Sequence, residues 1–327
     1  MQKNQITYKK NTMKALQYNE YGSTDVLHWN EIPTPEIKDD QVLVQVKAAS
    51  INPTDTKIRN GQMKLMTMFM GSFPRGMGLD FAGIITQIGS DVTNLKVGDS
   101  VFGSAGMTGA SFADYVKTDA KNVTTLPSYL NFAEACTIPL NGGTAIAAVN
   151  NYVHPKPGLS VLINGASGGV GLFIMQICKA KGATVAATCS TDSLQALKDL
   201  GADEVIDYKT TNVITSGKLF DIVLDASGHM KFDDAKEILT ENGSFCTLTP
   251  TLSSFGEQLG NVFRDKKEKN IMAMPSKADL AELMSLIESG KVKCVVGKTF
   301  PMSEAIAAQE EVEIGKLKTT GKIVLVA

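Results

Sequence analysis

The chain has 327 residues, a hydrophobic content of 43%, a charged content of 20% and a formal net charge of -2. This length exceeds the roughly 250–300 residues at which a single core stops growing, so two domains are expected. The charge balance provides no basic surplus for a nucleic-acid partner. No apolar run reaches the ~20 residues needed for a membrane span.

The first twelve residues are polar and lack the apolar centre of a secretory signal. We therefore expect a flexible extension over 1–12 and a cytoplasmic location. The cysteines are odd in number, widely separated and set in apolar patterns, which is typical of reduced core residues. They are Cys136, Cys178, Cys189, Cys246 and Cys294.

Short apolar strands dominate the chain up to about residue 140. They occur at 42–48, 81–89 and 100–103, with turns rich in Gly, Asp and Asn between them. Helical patterns are brief in this part. The pattern predicts a compact β-rich domain.

A glycine-rich turn then joins an apolar strand at 161–163 to an apolar helix at 172–178. Glycine permits left-handed dihedrals and a close approach of the backbone to a ligand. The unpaired amides that open a helix favour a pyrophosphate. This context predicts a dinucleotide phosphate site, with a tight turn that binds nothing as the alternative. The predicted cofactor-binding residues here are Gly165, Ala166, Ser167, Gly168, Gly169, Val170 and Gly171.

From residue 160 onward strands and helices alternate. Strands are predicted at 184–188, 204–207, 222–225 and 245–248, and helices at 193–200 and 231–240. This alternation implies parallel pairing through right-handed crossovers, which makes the fold class α/β with a doubly wound sheet. A helix at 279–287 and a strand at 322–326 complete the chain, and the strand is expected to return to the first domain.

The end of the second strand of this sheet predicts the choice of cofactor. An acidic residue there would accept a hydrogen bond from the ribose 2′-hydroxyl of NAD and repel a 2′-phosphate. The strand ends in neutral residues at 187–191, so NADPH is favoured and NADH stays possible. Asp192 weakens this preference, although it can also cap the helix that follows. Thr247, Leu248 and Thr249 end a later strand on the carboxyl side and are expected to line the nicotinamide half of the site.

Eight ordered motifs make the chain similar to a known superfamily. They are Asn52-Pro53-Thr54-Asp55, Arg59-Asn60-Gly61, Gly78-Leu79-Asp80-Phe81-Ala82-Gly83, Val97-Gly98-Asp99-Ser100-Val101, Pro139-Leu140-Asn141-Gly142-Gly143-Thr144-Ala145, the glycine turn, Leu200-Gly201-Ala202-Asp203-Glu204-Val205-Ile206-Asp207-Tyr208 and Gly321-Lys322-Ile323-Val324. The chain resembles the medium-chain dehydrogenase/reductase superfamily. Within it, the chain is similar to the zinc-free quinone oxidoreductase and alkenal/enone reductase branch, including the chloroplast-envelope-type homologues of plants.

This resemblance implies a GroES-like substrate domain over 13–138 and 275–327, and a Rossmann domain over 139–274. It matches Tyr208 to a tyrosine beside the 2′-phosphate, with Ser190 as a hydroxyl donor. Met272 and Met274 lie in a predicted sheet edge, and such edges commonly pair across a dimer axis in this family, which implies a homodimer.

The resemblance also implies that no zinc is bound. Leu79 stands where the zinc-dependent members carry a histidine ligand, and Asn52-Pro53 occupies the position of the cysteine ligand. An aliphatic side chain cannot coordinate Zn²⁺. No two cysteines lie within ten residues of each other, so the four closely spaced cysteines of a structural zinc site are absent from the sequence.

Without a Lewis acid, interconversion of alcohols and carbonyls is poorly supported. A quinone or an α,β-unsaturated carbonyl needs less assistance, because its β-carbon is already electrophilic and the charge that follows hydride arrival moves to the oxygen. The protein then has to orient the acceptor and offer donors to that oxygen. We therefore expect a small hydrophobic quinone or enone as the substrate of an NADPH-dependent reductase.

Three residues are candidates for the catalytic site through the resemblance. Asn52 is a candidate donor to the developing oxyanion, with capping of a turn before Pro53 as the alternative. Lys57 lies where several quinone oxidoreductases carry tyrosine, and it either donates to the acceptor oxygen, anchors a phosphate or is solvated. Thr144 resembles a threonine near the nicotinamide and is also a candidate helix cap. Asp55 and Arg59 are expected to form a structural ion pair.

Two other functions fit the sequence. An enoyl-thioester reductase would need a basic entrance, which Lys266, Lys267 and Lys269 could form. A protein that binds NADPH with vestigial catalysis would show the same motifs without turnover.

Overall fold

The computed structural model describes residues 12–68, 71–106, 109–250, 254, 258, 260–263, 265–272, 274–315 and 319–327. The described residues form two compact units. The first contains those of Met1–Leu140, Lys298–Leu317 and Ile323–Ala327, and the second those of Asn141–Gly297 and Lys318–Lys322.

The strands are β1 (Thr12–Tyr18), β2 (Leu27–Pro33), β3 (Gln41–Ser50), β4 (Arg75–Gly76), β5 (Asp80–Ile88), β6 (Ser100–Ser104), β7 (Tyr115–Asp119), β8 (Val123–Thr125), β9 (Ser160–Asn164), β10 (Thr184–Cys189), β11 (Glu204–Asp207), β12 (Phe220–Asp225), β13 (Leu239–Thr247), β14 (Lys267–Asn270), β15 (Val296–Pro301) and β16 (Lys322–Val326). The α-helices are α1 (Pro53–Arg59), α2 (Phe132–Ala135), α3 (Gly143–Ala148), α4 (Gly169–Ala180), α5 (Leu194–Asp199), α6 (Phe232–Ala235), α7 (Lys277–Glu288) and α8 (Ala305–Glu313). No helix among the described residues has the length and apolar character that a membrane crossing requires.

The first unit is built on β-sheets, as the strand pattern predicts. A three-stranded sheet has the order β2-β1-β4, and a seven-stranded sheet has the order β15-β16-β3-β5-β6-β8 with β7 paired to β3. The central pair β3 and β5 is antiparallel from Val42–Ile88 to Ser50–Asp80. Its apolar side chains are buried together with the other strands of this unit, which places the core between the two sheets.

The second unit is a parallel sheet with helices, which confirms the predicted α/β class. The strand order is β11-β10-β9-β12-β13-β14, and all of the neighbouring pairs are parallel. The chain order reverses between β9 and β12. Such a reversal opens a crevice at the carboxyl ends of the two strands, where ligands of this sheet type bind.

Several local features differ from the sequence predictions. The helix predicted over 231–240 is shorter: α6 and a 3₁₀ turn end at Ile238, because Leu239 is buried and pairs with Phe220 as the first residue of β13. Residues 1–11 of the predicted extension lie outside the described residues, and β1 begins at Thr12.

The boundary of the second unit also differs from the predicted domains. The segment 275–297, assigned above to the first domain, belongs to the second unit. Here α7 packs on α3, and a Cβ atom on Gly143 would lie 3.0 Å from Cγ of Pro275. The predicted sheet edge is β14, which ends before Met272 and Met274, and both methionines are exposed.

The cysteines are free thiols and all five are buried, as predicted. Burial raises the pKa of Cys178 and of Cys246 to about 12. Such thiols stay protonated at neutral pH, and they fill the core as small apolar side chains.

Candidate active site

The glycine-rich turn connects β9 to α4 in the second unit. Gly165 has a φ of +81°, and its amide donates to Oγ1 of Thr188 at 3.0 Å. The amide of Ala166 donates to the carbonyl of Thr188 at 3.1 Å. These bonds fix the turn to the carboxyl end of the neighbouring strand β10.

Two glycines of this turn leave no room for a side chain. A Cβ atom on Gly171 would lie 2.4 Å from the carbonyl oxygen of Gly165, and one on Gly165 would lie 2.8 Å from Cβ of Ser227. Gly168 is different, because it is exposed and its Cβ atom would find only the Gly165 oxygen, at 3.6 Å. The turn is therefore folded tightly on itself while its outer side stays open.

The first turn of α4 presents backbone donors at this open side. Gly168 precedes the helix in an extended conformation, and the amide of Leu172 makes the first bond of the helix, to Gly168. Among the described residues, no acceptor pairs with the amides of Gly169, Val170 or Gly171. These amides and the helix dipole suit a pyrophosphate.

Sequence reasoning missed two residues at this turn. A Cβ atom on Gly169 would lie 2.5 Å from Cδ of Lys322 and 2.6 Å from Oδ1 of Asn141. Lys322 is buried, and the preceding residue Gly321 donates its amide to the carbonyl of Ser167 at 3.0 Å. Both residues lie in motifs that carry the family resemblance, but nothing in the local sequence indicates that they adjoin the glycine turn.

A polar network joins the carboxyl ends of β9 and β12 beside the turn. The Asn164 amide donates to Oδ1 of Asp225 at 3.0 Å and to Oγ of Ser227 at 2.9 Å, and its Oδ1 accepts from Thr188 at 2.7 Å. Asp225 is fully buried and also accepts from the backbone of Ser227 and Met230. This network fixes the carboxyl ends of β9, β10 and β12 to one another where the strand order reverses.

A cavity of about 830 Å³ extends from the glycine turn along this edge of the sheet. Its lining includes Gly165, Ser167 and Gly168, then Thr188 and Tyr208. Its size falls within the ~300–1,000 Å³ of sites for small ligands and cofactors. The residues present therefore fit a bound dinucleotide.

The other residues predicted to bind the cofactor lie at the carboxyl ends of strands in the same sheet. Ser190 comes directly after β10, and Tyr208 comes directly after β11, with its side chain 59% exposed. Thr247 ends β13, and its hydroxyl accepts from the amide of Thr249 at 3.1 Å. The structure thus brings these predicted cofactor residues to one edge of one sheet.

Asn52 lies in the first unit and is fully buried. Its side-chain amide donates to Oδ2 of Asp80 at 3.1 Å and to the backbone oxygen and Oγ of Ser50 at 3.4 and 3.3 Å. Its backbone amide donates to Asp55 at 2.7 Å, at the start of α1. Both side-chain protons are therefore directed at protein acceptors, which differs from the predicted role as a donor to the substrate.

The other two catalytic candidates lie on helices. Lys57 is half-buried on α1, and no hydrogen bond or ion pair to its ammonium group occurs within the described part of the chain. Thr144 is half-buried in α3 of the second unit. The prediction that Thr144 caps this helix is wrong, because the helical backbone already begins at Ile138.

The predicted ion pair between Asp55 and Arg59 is wrong. Arg59 is fully buried, and it pairs through Nη2 with Oε1 of Glu313 at 2.5 Å. The Asp55 carboxylate instead accepts from the backbone amide of Asn52 at the start of α1. Glu313 lies on α8, far away in the sequence, so the spacing of charges within the helix could not indicate it.

Leu79 and Asn52 occupy the positions that the resemblance compares with zinc ligands. Leu79 is a buried aliphatic side chain next to Asp80, and Asn52 is bonded to that carboxylate. In the described ranges, no three His, Cys, Asp or Glu side chains are grouped so that they could hold a metal.

Comparison with known proteins identifies the family. Residues 38–128 match the model of the alcohol dehydrogenase GroES-like domain, and residues 200–325 match that of the zinc-binding dehydrogenase. The chain is 36% identical to 2-methylene-furan-3-one reductase of Solanum lycopersicum, over 96% of this chain and 79% of the relative. It is 35% identical to the chloroplastic NADPH-dependent alkenal/one oxidoreductase of Arabidopsis thaliana, over 96% and 79%.

A solved structure agrees with these relatives. The quinone oxidoreductase of Coxiella burnetii superposes with a TM-score of 0.86 at 32% identity, covering 97% of this chain and 99% of that one. The GroES-like sheet unit and the parallel-sheet unit described above account for both family matches. The chain belongs to the medium-chain dehydrogenase/reductase superfamily, among its quinone and alkenal/one oxidoreductases.

Proposed function

We propose that this chain is a zinc-independent, NAD(P)H-dependent oxidoreductase that transfers hydride to a quinone or to the C=C bond of an α,β-unsaturated carbonyl. The observation that carries the proposal is the glycine turn, where the amides of Gly169, Val170 and Gly171 have no acceptor among the described residues, beside a cavity of a size that suits a dinucleotide. The names of the relatives support the same class of reaction.

The chain's own residues bind the cofactor through its phosphates. The amides of the first turn of α4 donate to the pyrophosphate, and the helix dipole adds to their attraction. Tyr208, Ser190 and the Thr247 to Thr249 segment provide further contacts along the same sheet edge. Bound NAD(P)H supplies the hydride.

Leu79, an aliphatic side chain where the zinc-dependent members carry a histidine ligand, supports an acceptor that needs no Lewis acid. A conjugated carbonyl delocalises the incoming charge onto its oxygen, and one positioned donor at that oxygen is sufficient assistance. Lys57 is our candidate for this donor, because its ammonium group has no protein partner in the described residues. Asn52 instead positions the loop that precedes α1, through its bonds to Asp80 and Asp55.

An enoyl-thioester reductase is less well supported. Lys266, Lys267 and Lys269 were the candidates for its basic entrance, but each ammonium group donates to a backbone carbonyl, of Lys236, Asn261 and Tyr152 respectively. These lysines stabilise the loops around β14. An entrance for a phosphorylated carrier would need their charges to face the ligand.

A panel of acceptors tests the proposal. The protein is dialysed against a chelator, and the consumption of NADPH and of NADH is followed with a small enone, a quinone and an enoyl thioester. We expect turnover of the enone or the quinone that is unchanged by the chelator. Turnover that is lost on chelation and restored by Zn²⁺, or tight NADPH binding with no turnover of any acceptor, would overturn the proposal.

A further inference from the structure

A second large cavity belongs to the first unit and is lined by both of its sheets. Its volume is about 870 Å³, within the ~300–1,000 Å³ of sites for small ligands. The lining comes from β1, β2 and β3, from the start of β7, and from the ends of β15 and β16. The cavity beside the glycine turn is lined by the second unit alone, so the two cavities have no residue in common.

Four charged side chains line the cavity of the first unit, and the protein uses them differently. Glu31 accepts from the hydroxyl of Thr12 at 2.5 Å, and Asp114 accepts from the backbone amide of Lys14 at 3.0 Å. The ammonium groups of Lys14 and Lys47 make no hydrogen bond or ion pair to the described residues. The charged groups that remain for a ligand are therefore the two cations, which suit a carboxylate.

An apolar surface adjoins these lysines in the same cavity. It includes two aromatic side chains, Trp29 and Tyr115, which pack on the apolar core clusters of the first unit. Aromatic rings offer a large contact area to a planar apolar ligand. Lys47 is half-buried, so water screens its attraction to an anion less than at a fully exposed lysine. The lining thus combines an apolar part with an anion-binding part.

We propose that this cavity binds a small aromatic carboxylate, with its ring against Trp29 and Tyr115 and its carboxylate at Lys14 and Lys47. The inference goes beyond the proposed function, because it assigns a ligand site outside the cavity beside the glycine turn. It does not depend on which reaction the protein catalyses.

Trp29 is the only tryptophan of the chain, so tryptophan fluorescence reports on this cavity directly. The full chain is titrated with hydrocinnamate and, separately, with the neutral amide of the same acid. We expect hydrocinnamate to change the Trp29 emission saturably, with a dissociation constant on the order of 1 mM for a ligand of this size. The amide should bind about tenfold more weakly, and added salt should weaken the binding of hydrocinnamate only.

A double substitution, Lys14→Gln with Lys47→Gln, tests the two cations. It should weaken hydrocinnamate by about tenfold and leave the affinity for the amide within about twofold. The matched control is Lys38→Gln with Lys117→Gln, which removes the same charge from two exposed lysines of the first unit that do not line the cavity, and it should keep the wild-type affinity.

Three results would overturn the assignment. The first is a Trp29 emission that hydrocinnamate does not change, including the case in which calorimetry detects binding elsewhere in the protein. The second is equal affinity for the carboxylate and its amide. The third is an equal loss of affinity in the two double variants. In each case the proposed function is unaffected, because it is measured by the consumption of NADPH or NADH.

Discussion

Lys57 and Arg59 show how one helix can carry two cations with different roles. The guanidinium of Arg59 is buried and bonded to Glu313, whereas the ammonium of Lys57 is half-buried and has no protein partner in the described ranges. An ammonium group that makes no hydrogen bond or ion pair within the described residues is available to bind a ligand. We therefore expect Lys57 to affect the reaction and Arg59 to affect stability.

Replacing Lys57 by methionine keeps the length of the side chain and removes its charge. We expect kcat/KM for the enone or quinone to fall by about a hundredfold to a thousandfold, as for the loss of one donor to a developing oxyanion. Cofactor affinity and thermal stability should stay at wild-type values. Lys117→Met, on the exposed side of β7, is the matched control, and an equal effect of both substitutions on kcat/KM would contradict the role of Lys57.

Alanine substitutions at Gly168 and Gly171 distinguish cofactor binding at the glycine turn from the folding of the turn. Gly168→Ala meets only one atom, at 3.6 Å, and has no positive φ to strain, so the melting temperature should be unchanged. The added methyl group lies at the open side of the turn, where we propose that the pyrophosphate binds, and it should weaken NADPH binding by about tenfold, or about 1.4 kcal/mol. Gly171→Ala should lower both stability and binding, because its Cβ atom would lie 2.4 Å from a backbone oxygen. Unchanged NADPH affinity of the Gly168 variant would show that the turn does not carry the ligand.

At the level of elements, a polar cluster joins three helical segments of the second unit. The amide of Asn150 donates to Asp279 at 2.7 Å and to Glu282 at 2.9 Å on α7, and its oxygen accepts from Lys181 after α4 at 2.9 Å. Ser276 caps α7 by accepting from the amide of Asp279 at 3.1 Å. The cluster therefore anchors a helix that the sequence had assigned to the other domain.

This cluster predicts a pH dependence of stability. The Ser276 hydroxyl, with Asn150 as the next cause, lowers the pKa of Asp279 in the folded state. A lowered pKa contributes stability above the unfolded value of about 3.9, and this contribution is lost as the pH falls towards the folded value. Between about pH 5 and pH 3, the free energy of unfolding in urea should therefore decrease less for Asp279→Asn than for the wild type. Asp40→Asn, at an exposed residue of the first unit, should keep the wild-type slope, and an equal slope for Asp279→Asn would contradict the prediction.

At the level of the whole molecule, the periodic patterns were the most informative part of the sequence. The alternation of buried strands and helices after residue 160 predicted the parallel sheet, and the glycines at 165–171 predicted the turn between β9 and α4. Those features depend on neighbours in the chain. The predicted end of the helix at residue 240 was wrong. Leu239 is buried in the sheet, and this burial outweighs the local helical pattern.

Contacts between distant segments could not be predicted. The pairing of Arg59 with Glu313 and the placement of Lys322 against Gly169 join residues more than a hundred positions apart. The Asn52 amide likewise donates to a residue outside its own loop, Asp80 at the start of β5, which lies 28 positions further along the chain. The cytoplasmic location and the homodimer stay predictions.

Hydrogen exchange of the backbone amides at residues 165–171, with and without saturating NADPH, tests the central claim most directly. The account predicts that NADPH slows the exchange of Gly169, Val170 and Gly171, whose amides have no acceptor in the described protein. Unchanged exchange at these three amides, together with protection elsewhere in the chain, would contradict it.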